Sequence, residues 1–190
     1  FSAGEEVLAG ERVLLRFEGI DTLADLYLNG VFLGAVNNMH RTWEFDVKGL
    51  LKTEGNVLSG IFHSPTAYIR EKYGQRRLDG TSDAMRGFPY LRKAHCMFGW
   101  DWGPRVPDCG IFRPVSLLTV ETARFDSFLV RQKHDRTAGS VTLDFDVSAE
   151  LFAGANSCLA NSKRLRSVNF LMDFLYSFLL LKRPLNTKNK

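Results

Sequence analysis

Apolar and polar residues alternate along much of the first two thirds of the chain, a period of two that turns one face of an extended segment to a core and the other to water. Val13-Leu14-Leu15-Arg16-Phe17 and Trp43-Glu44-Phe45-Asp46-Val47 contain this alternation, and each predicts a strand. Leu26-Tyr27-Leu28 and Val31-Phe32-Leu33 flank Asn29-Gly30, the pair best able to take the positive φ angles of a two-residue type I′ turn, so these pieces predict a hairpin. Further strands are expected at 57–62, 112–120, 128–131 and 141–147. Short strands, frequent turn signals and few helical periods predict an all-β chain built as a β-sandwich.

Two regions depart from that pattern. Residues 64–110 mix Pro, Gly, Arg and aromatics without periodicity; a long irregular stretch in a compact domain is usually functional or disordered, and this aromatic content speaks against disorder. After about residue 149 the character changes again. The segment 168–181 is strongly apolar but spans only 14 residues and contains Asp173, short of the roughly 20 residues a membrane span needs. Lys163, Arg164 and Arg166 before it, with Lys182 and Arg183 after it, would suit an interfacial helix. The plainer expectation for 150–190 is an unmatched basic and apolar tail, misprocessed and without an evolved role.

Composition narrows the classes further. The 190 residues carry 45% hydrophobic and 24% charged side chains, the balance of a globular chain with one ordinary domain and part of a second. The formal charge is +4, but from Glu150 onward there are 7 Lys and Arg against 2 Asp and Glu, and residues 1–149 hold 18 against 19. A nearly neutral body with mixed signs offers no electrostatic footprint for phosphates, so no nucleic acid partner is expected. Cys96, Cys109 and Cys158 are too few and too scattered for a disulfide framework or a zinc site, and no role follows for them. His63 and His95 lack a second ligand at metal spacing, so neither a metal nor a cofactor is expected. No signal peptide is visible at Phe1, and no Asn-x-Ser/Thr acceptor occurs in the sequence.

The chemistry concentrates in the irregular stretch, at Arg92-Lys93-Ala94-His95-Cys96-Met97-Phe98-Gly99-Trp100-Asp101-Trp102-Gly103-Pro104-Arg105. An acid between two indoles suits a sugar, whose C–H faces stack on aromatic rings while its hydroxyls donate to a carboxylate. The same residues allow a plainer role, with both Trp filling a core and Asp101 capping a turn. On the residues alone both readings stand.

The run from Phe98 to Arg105, followed by Cys109-Gly110-Ile111-Phe112-Arg113-Pro114-Val115, resembles the signature that closes the N-terminal sugar-binding domain of β-mannosidases of glycoside hydrolase family 2. Ala24-Asp25-Leu26-Tyr27-Leu28-Asn29-Gly30 is similar to that domain's hairpin, Phe62-His63-Ser64-Pro65 to a later strand end, and Arg92-Lys93-Ala94 to the element before the Trp-Asp-Trp run. The likeness extends from about residue 13 to 147. Its most specific part is the Trp-Asp-Trp run, because the Gly-Ile-Phe-Arg element also recurs in family 2 β-galactosidases and β-glucuronidases.

The resemblance implies a jelly-roll β-sandwich of the galactose-binding kind over 1–123, incomplete at its start, then the opening strands of an immunoglobulin-like sandwich over 124–149. It leaves the catalytic (β/α)8 barrel outside these 190 residues. It further implies an exo-acting hydrolase of terminal non-reducing β-D-mannose that retains configuration through two carboxylates. The acid/base of the family follows an Asn, and no Asn-Glu pair exists in this sequence, so no catalytic residue is assigned. Glu18, Glu44, Glu71 and Glu121 are expected on solvated faces. The substrate-binding residues carried over are Asp101, Trp100, Trp102 and Arg92, the last pairing with Asp101 or bracing its loop. The expected partners are a β-mannoside oligosaccharide and the chain's own catalytic barrel; the compartment is lysosomal or secreted if the protein is of the animal type. The competing readings are a stand-alone, non-catalytic carbohydrate-binding module and a fragment of a family 2 β-galactosidase or β-glucuronidase.

Overall fold

A computed structural model of the chain describes residues 1–101, 103–121, 123–151 and 165–171. They separate into two compact units, Phe1–Glu121 and Thr122–Lys190. In the first unit, a short helix α1 (Glu5–Leu8) precedes strands β1 (Arg12–Phe17), β2 (Ile20–Asp21), β3 (Ala24–Leu28), β4 (Val31–Val36), β5 (Trp43–Asp46) and β6 (Leu58–Phe62). Helix α2 (Pro65–Gln75) and a stretch with 3-10 turns at Phe88–Tyr90 and His95–Phe98 then lead to β7 (Gly110–Ile111) and β8 (Val115–Val120).

Two three-stranded antiparallel sheets, ordered β5-β1-β8 and β4-β3-β6, form the sandwich. The alternation in the sequence is what joins them. Val13, Leu15 and Phe17 of β1 and Ala24, Leu26 and Leu28 of β3 turn the same way at every second position, and with Ile20, Val36 and Val47 they make one buried cluster. The β3–β4 hairpin closes through Asn29 (φ 52°) and Gly30 (φ 84°), the two positive angles that a type I′ turn demands. Asn29 does more than turn the chain. Its Nδ2 donates to the carbonyl of Leu50 (2.7 Å) and to Asn56 Oδ1 (3.0 Å), while its Oδ1 accepts the Val57 N–H (2.9 Å).

The structure corrects two expectations in this unit. The strand expected at 112–120 begins only at Val115, because Pro114 has no N–H to give a ladder; its carbonyl instead accepts the N–H of Glu18 (3.1 Å). Residues 64–110 are also not irregular throughout. Ser64 caps α2 by accepting the Ala67 N–H (3.2 Å), and Pro65 occupies the first turn, where its missing donor costs nothing. The helix escaped the pattern because it buries only Pro65 and Ile69, too few positions for an apolar stripe. Glu71 stands on this helix and is exposed.

Ile69 belongs to a second, smaller core with Leu23, Ala84, Phe88, Leu91 and Phe98. This satellite core underlies the segment that carries the Trp-Asp-Trp run.

In the second unit, β9 (Ala123–Asp135), β10 (Ser140–Leu151) and β11 (Leu165–Leu171) pair antiparallel in the order β11-β10-β9. The strands are longer than the 128–131 and 141–147 expected, and cross-strand ion pairs line them: Arg124 with Glu150 (2.7 Å), Arg131 with Asp146, and Lys133 with Asp144 (3.6 Å). Over residues 168–171, the described part of the segment expected as an interfacial helix, the chain is instead strand β11, paired with β10. The rest of the apolar segment, like Cys158, lies outside the described residues. Among the described residues the chain is all-β with few helices, and no (β/α)8 barrel is present.

Candidate functional site

The Trp-Asp-Trp loop is built from its anchors outward. On its N-terminal side, Leu91 is extended (φ −107°, ψ 141°) and buried, Arg92 is exposed and Lys93 is buried. The Asn38 and Arg92 backbones form a parallel bridge, and the Arg92 carbonyl accepts the Met39 N–H (2.9 Å). Phe98, fully buried, ties the middle of the loop to the satellite core, and its carbonyl accepts the Met85 N–H (2.9 Å). Gly99 follows with φ 111° and ψ 154°, a conformation open in practice to glycine alone. There is no room for a side chain either: a Cβ at this position would stand 2.7 Å from Arg105 Cγ and 3.0 Å from the Asp83 carbonyl oxygen. Arg105 fastens the far side by donating from Nη2 to that same carbonyl (2.9 Å).

Between these anchors, Trp100 and Gly103 form an antiparallel bridge, which places Asp101 at the tip of a tight turn. Trp100 is 43% exposed and Asp101 is exposed. Trp100 is therefore not enclosed in a core, and among the described residues Asp101 has no hydrogen-bond or ion-pair partner. Trp102 lies outside the described residues. Arg92 makes no ion pair with Asp101; what it contributes here is its backbone, which ties the loop's N-terminal flank to the chain after β4.

Sequence reasoning passed over Lys93. Its side chain is fully enclosed, its Nζ donates to the Asp21 carboxylate and to the Asp108 carbonyl (2.9 Å), and it lies 3.6 Å from Asp108 Oδ1. Asp21, 3% exposed, also accepts from the Thr22 hydroxyl. The signal was available. In an extended segment alternate residues share a face, so Lys93 had to follow the buried Leu91 inward while Arg92 turned out.

His63 donates from Nε2 to the Asp25 carboxylate (2.8 Å) at the edge of an open groove of about 490 Å³, lined by Ala35, Asn37, Tyr68 and Glu71 among others. His95 packs edge-on against Phe88, ring centroids 4.6 Å apart. Among the described residues no three His, Cys, Asp or Glu side chains are grouped to hold a metal ion, and no helix is long and apolar enough to cross a membrane. Cys96 and Cys109 are free and exposed.

The all-β sandwich thus carries an exposed indole and an exposed acid on a loop pinned on both sides. Residues 1–113 match the family described as glycosyl hydrolase 2 galactose-binding domain-like. The β-mannosidase of Bos taurus is 29% identical over 167 residues, covering 81% of this chain and 19% of that protein. The β-mannosidase B of Thermothelomyces thermophilus is 30% identical over 195 residues, covering 90% of this chain and 22% of that one. Among solved structures, the β-D-mannosidase of Dictyoglomus thermophilum superposes with a TM-score of 0.72 at 33% identity, over 80% of this chain and 18% of that chain. The chain belongs to glycoside hydrolase family 2, and the region it matches is the N-terminal one of β-mannosidases. It spans about a fifth of the length of these relatives.

Proposed function

We propose that this chain supplies the rim of the sugar site in a β-mannosidase that removes terminal non-reducing β-D-mannose from oligosaccharides. The observation that carries the reading is the exposed pair Trp100 and Asp101 at the tip of a loop whose flanks are pinned on both sides. An indole offers a stacking face to the C–H side of a pyranose, and an exposed carboxylate accepts from hydroxyls. Trp102 adds the second indole, and Arg92 braces the flank of the loop. Contacts of this kind, far from the bond that breaks, lower the barrier when they tighten in the transition state.

The bond-breaking itself requires two carboxyls roughly 5 Å apart, one as acid and base and one as nucleophile, with retention of configuration. No Asn-Glu pair occurs in the 190 residues, so the acid/base of the family pattern is not among them; in this reading a catalytic barrel supplies both carboxyls, this domain docks on it, and the chain alone is inactive. A screen of the full-length gene product on nitrophenyl glycosides tests the reading: fastest cleavage of the β-mannoside is expected, and faster cleavage of the galactoside or glucuronide refutes it. Calorimetry of the isolated chain with mannose and mannobiose gives almost no heat if the chain holds only part of the pocket. Clear saturable binding would instead identify a self-sufficient carbohydrate-binding module.

A further inference from the structure

The loop that carries Trp100 and Asp101 leaves the sandwich at Lys93 and returns at Asp108, and a single ammonium group joins the two points. Lys93 Nζ donates to the Asp108 carbonyl (2.9 Å) and to the carboxylate of Asp21. Asp21 lies on β2, which pairs with β7 immediately beyond the loop, Asp21 opposite Gly110. One side chain therefore ties the loop's entry to its exit and fastens both to the sandwich. Asp101 stands midway between the two tied ends.

A lysine is a poor choice for stability alone. Taking an ammonium and a carboxylate out of water costs about as much as their attraction returns, and an apolar pair of similar volume often stabilises a fold equally well or better. What an apolar pair cannot supply is direction. Hydrophobic contact tolerates sliding, whereas an ammonium with its donors committed to a carboxylate and a carbonyl holds both in one register. We propose that Lys93 is a positioning residue: with Asp21 and Asp108 it clamps the foot of the loop and sets where Trp100 and Asp101 meet a sugar. This rests on the reading of Asp101 as a sugar contact.

Removing Lys93 alone would leave Asp21 as an uncompensated buried charge, so the test removes both charges together, in Lys93→Met/Asp21→Asn. Three measurements are made: thermal unfolding, amide hydrogen exchange of residues 94–108 in the 190-residue chain, and kcat and KM on 4-nitrophenyl β-D-mannoside in the full-length gene product. The melting temperature is expected to stay within a few degrees of wild type, and loop exchange to rise at least about tenfold while the core strands keep their protection. The ratio kcat/KM is expected to fall by between about 10- and 100-fold, the scale of a displacement near 1 Å at a contact. Added to Asp101→Asn, the paired substitution is expected to cost little further activity, because both act through the same contact. Unchanged loop exchange, full additivity with Asp101→Asn, or collapse of the whole domain would each overturn the proposal, the last by making Lys93 a general strut. Wild-type kcat/KM in Asp101→Asn alone would instead overturn the rim reading, and the exchange measurement then decides the clamp.

Discussion

Replacing Gly99 by Ala probes how firmly the candidate site is held. The residue sits between the buried Phe98 and the exposed Trp100 with φ 111° and ψ 154°, a backbone region that costs an L-residue on the order of 1–3 kcal/mol. The added methyl meets two obstacles of different kinds. Arg105 Cγ, 2.7 Å away, can swing aside, but that breaks its Nη2 hydrogen bond to the Asp83 carbonyl, a contribution of about 0.5–1.5 kcal/mol. The Asp83 carbonyl oxygen, 3.0 Å away, is backbone next to Ala84, which is buried in the satellite core and gives way only by disturbing it. Together the effects lower stability by about 2–4 kcal/mol. A chain of this size loses about 2–4 °C per kcal/mol, so the melting temperature falls by roughly 5–15 °C. Thermal and urea unfolding measure it, with Gly103→Ala as control: a Cβ there meets nothing within 4 Å, and a change within about 0.5 kcal/mol is expected. A Gly99→Ala protein that melts within about 1 °C of wild type, or a control that is equally damaged, would refute the reasoning.

Two further outcomes follow from the same geometry. Asn29→Ala removes hydrogen bonds to Leu50, Asn56 and Val57, and the groups left unpaired cost about 1–3 kcal/mol in urea unfolding; a loss below about 0.5 kcal/mol would contradict the hub role of this turn. The Tyr73 phenol titrates above its ordinary value of 10.0, first because its hydroxyl donates to Asp79 (2.9 Å), then through desolvation and the Asp79 charge. A pKa raised on folding means that the stabilisation is present below the ordinary value and is lost as pH climbs through the folded one. Alkaline absorbance titration should show a late phenol that Tyr73→Phe removes and Asp79→Asn brings earlier, and a late component surviving both would contradict the assignment.

The sandwich was readable because its determinants are local. Alternation at Val13, Leu15 and Phe17 needs only a period of two, and Asn29-Gly30 needs only two positive φ angles. Helix α2 was not readable from periodicity, since a helix buried along two positions shows no stripe; its Ser-Pro start was the better signal. Strands β2 and β7 hold two residues each, fewer than any alternation can reveal, and they exist because Asp21 and Gly110 meet across the fold. The acid and the indole of the site were legible as types suited to a sugar. Their fixing was not, because Lys93 reaches Asp21 over 72 positions of sequence, and adjacent Arg92 and Lys93 look alike until one is seen to turn inward.

The account stands on Asp101 reaching a sugar, and Asp101→Ala in the full-length gene product tests that most directly. Asp101 is exposed and has no hydrogen-bond or ion-pair partner among the described residues, so the variant should melt with wild type. Its kcat/KM on 4-nitrophenyl β-D-mannoside should fall by about 10- to 100-fold, the 1.5–3 kcal/mol of a hydrogen bond to a charged group. Undiminished kcat/KM in a folded Asp101→Ala enzyme would contradict the account.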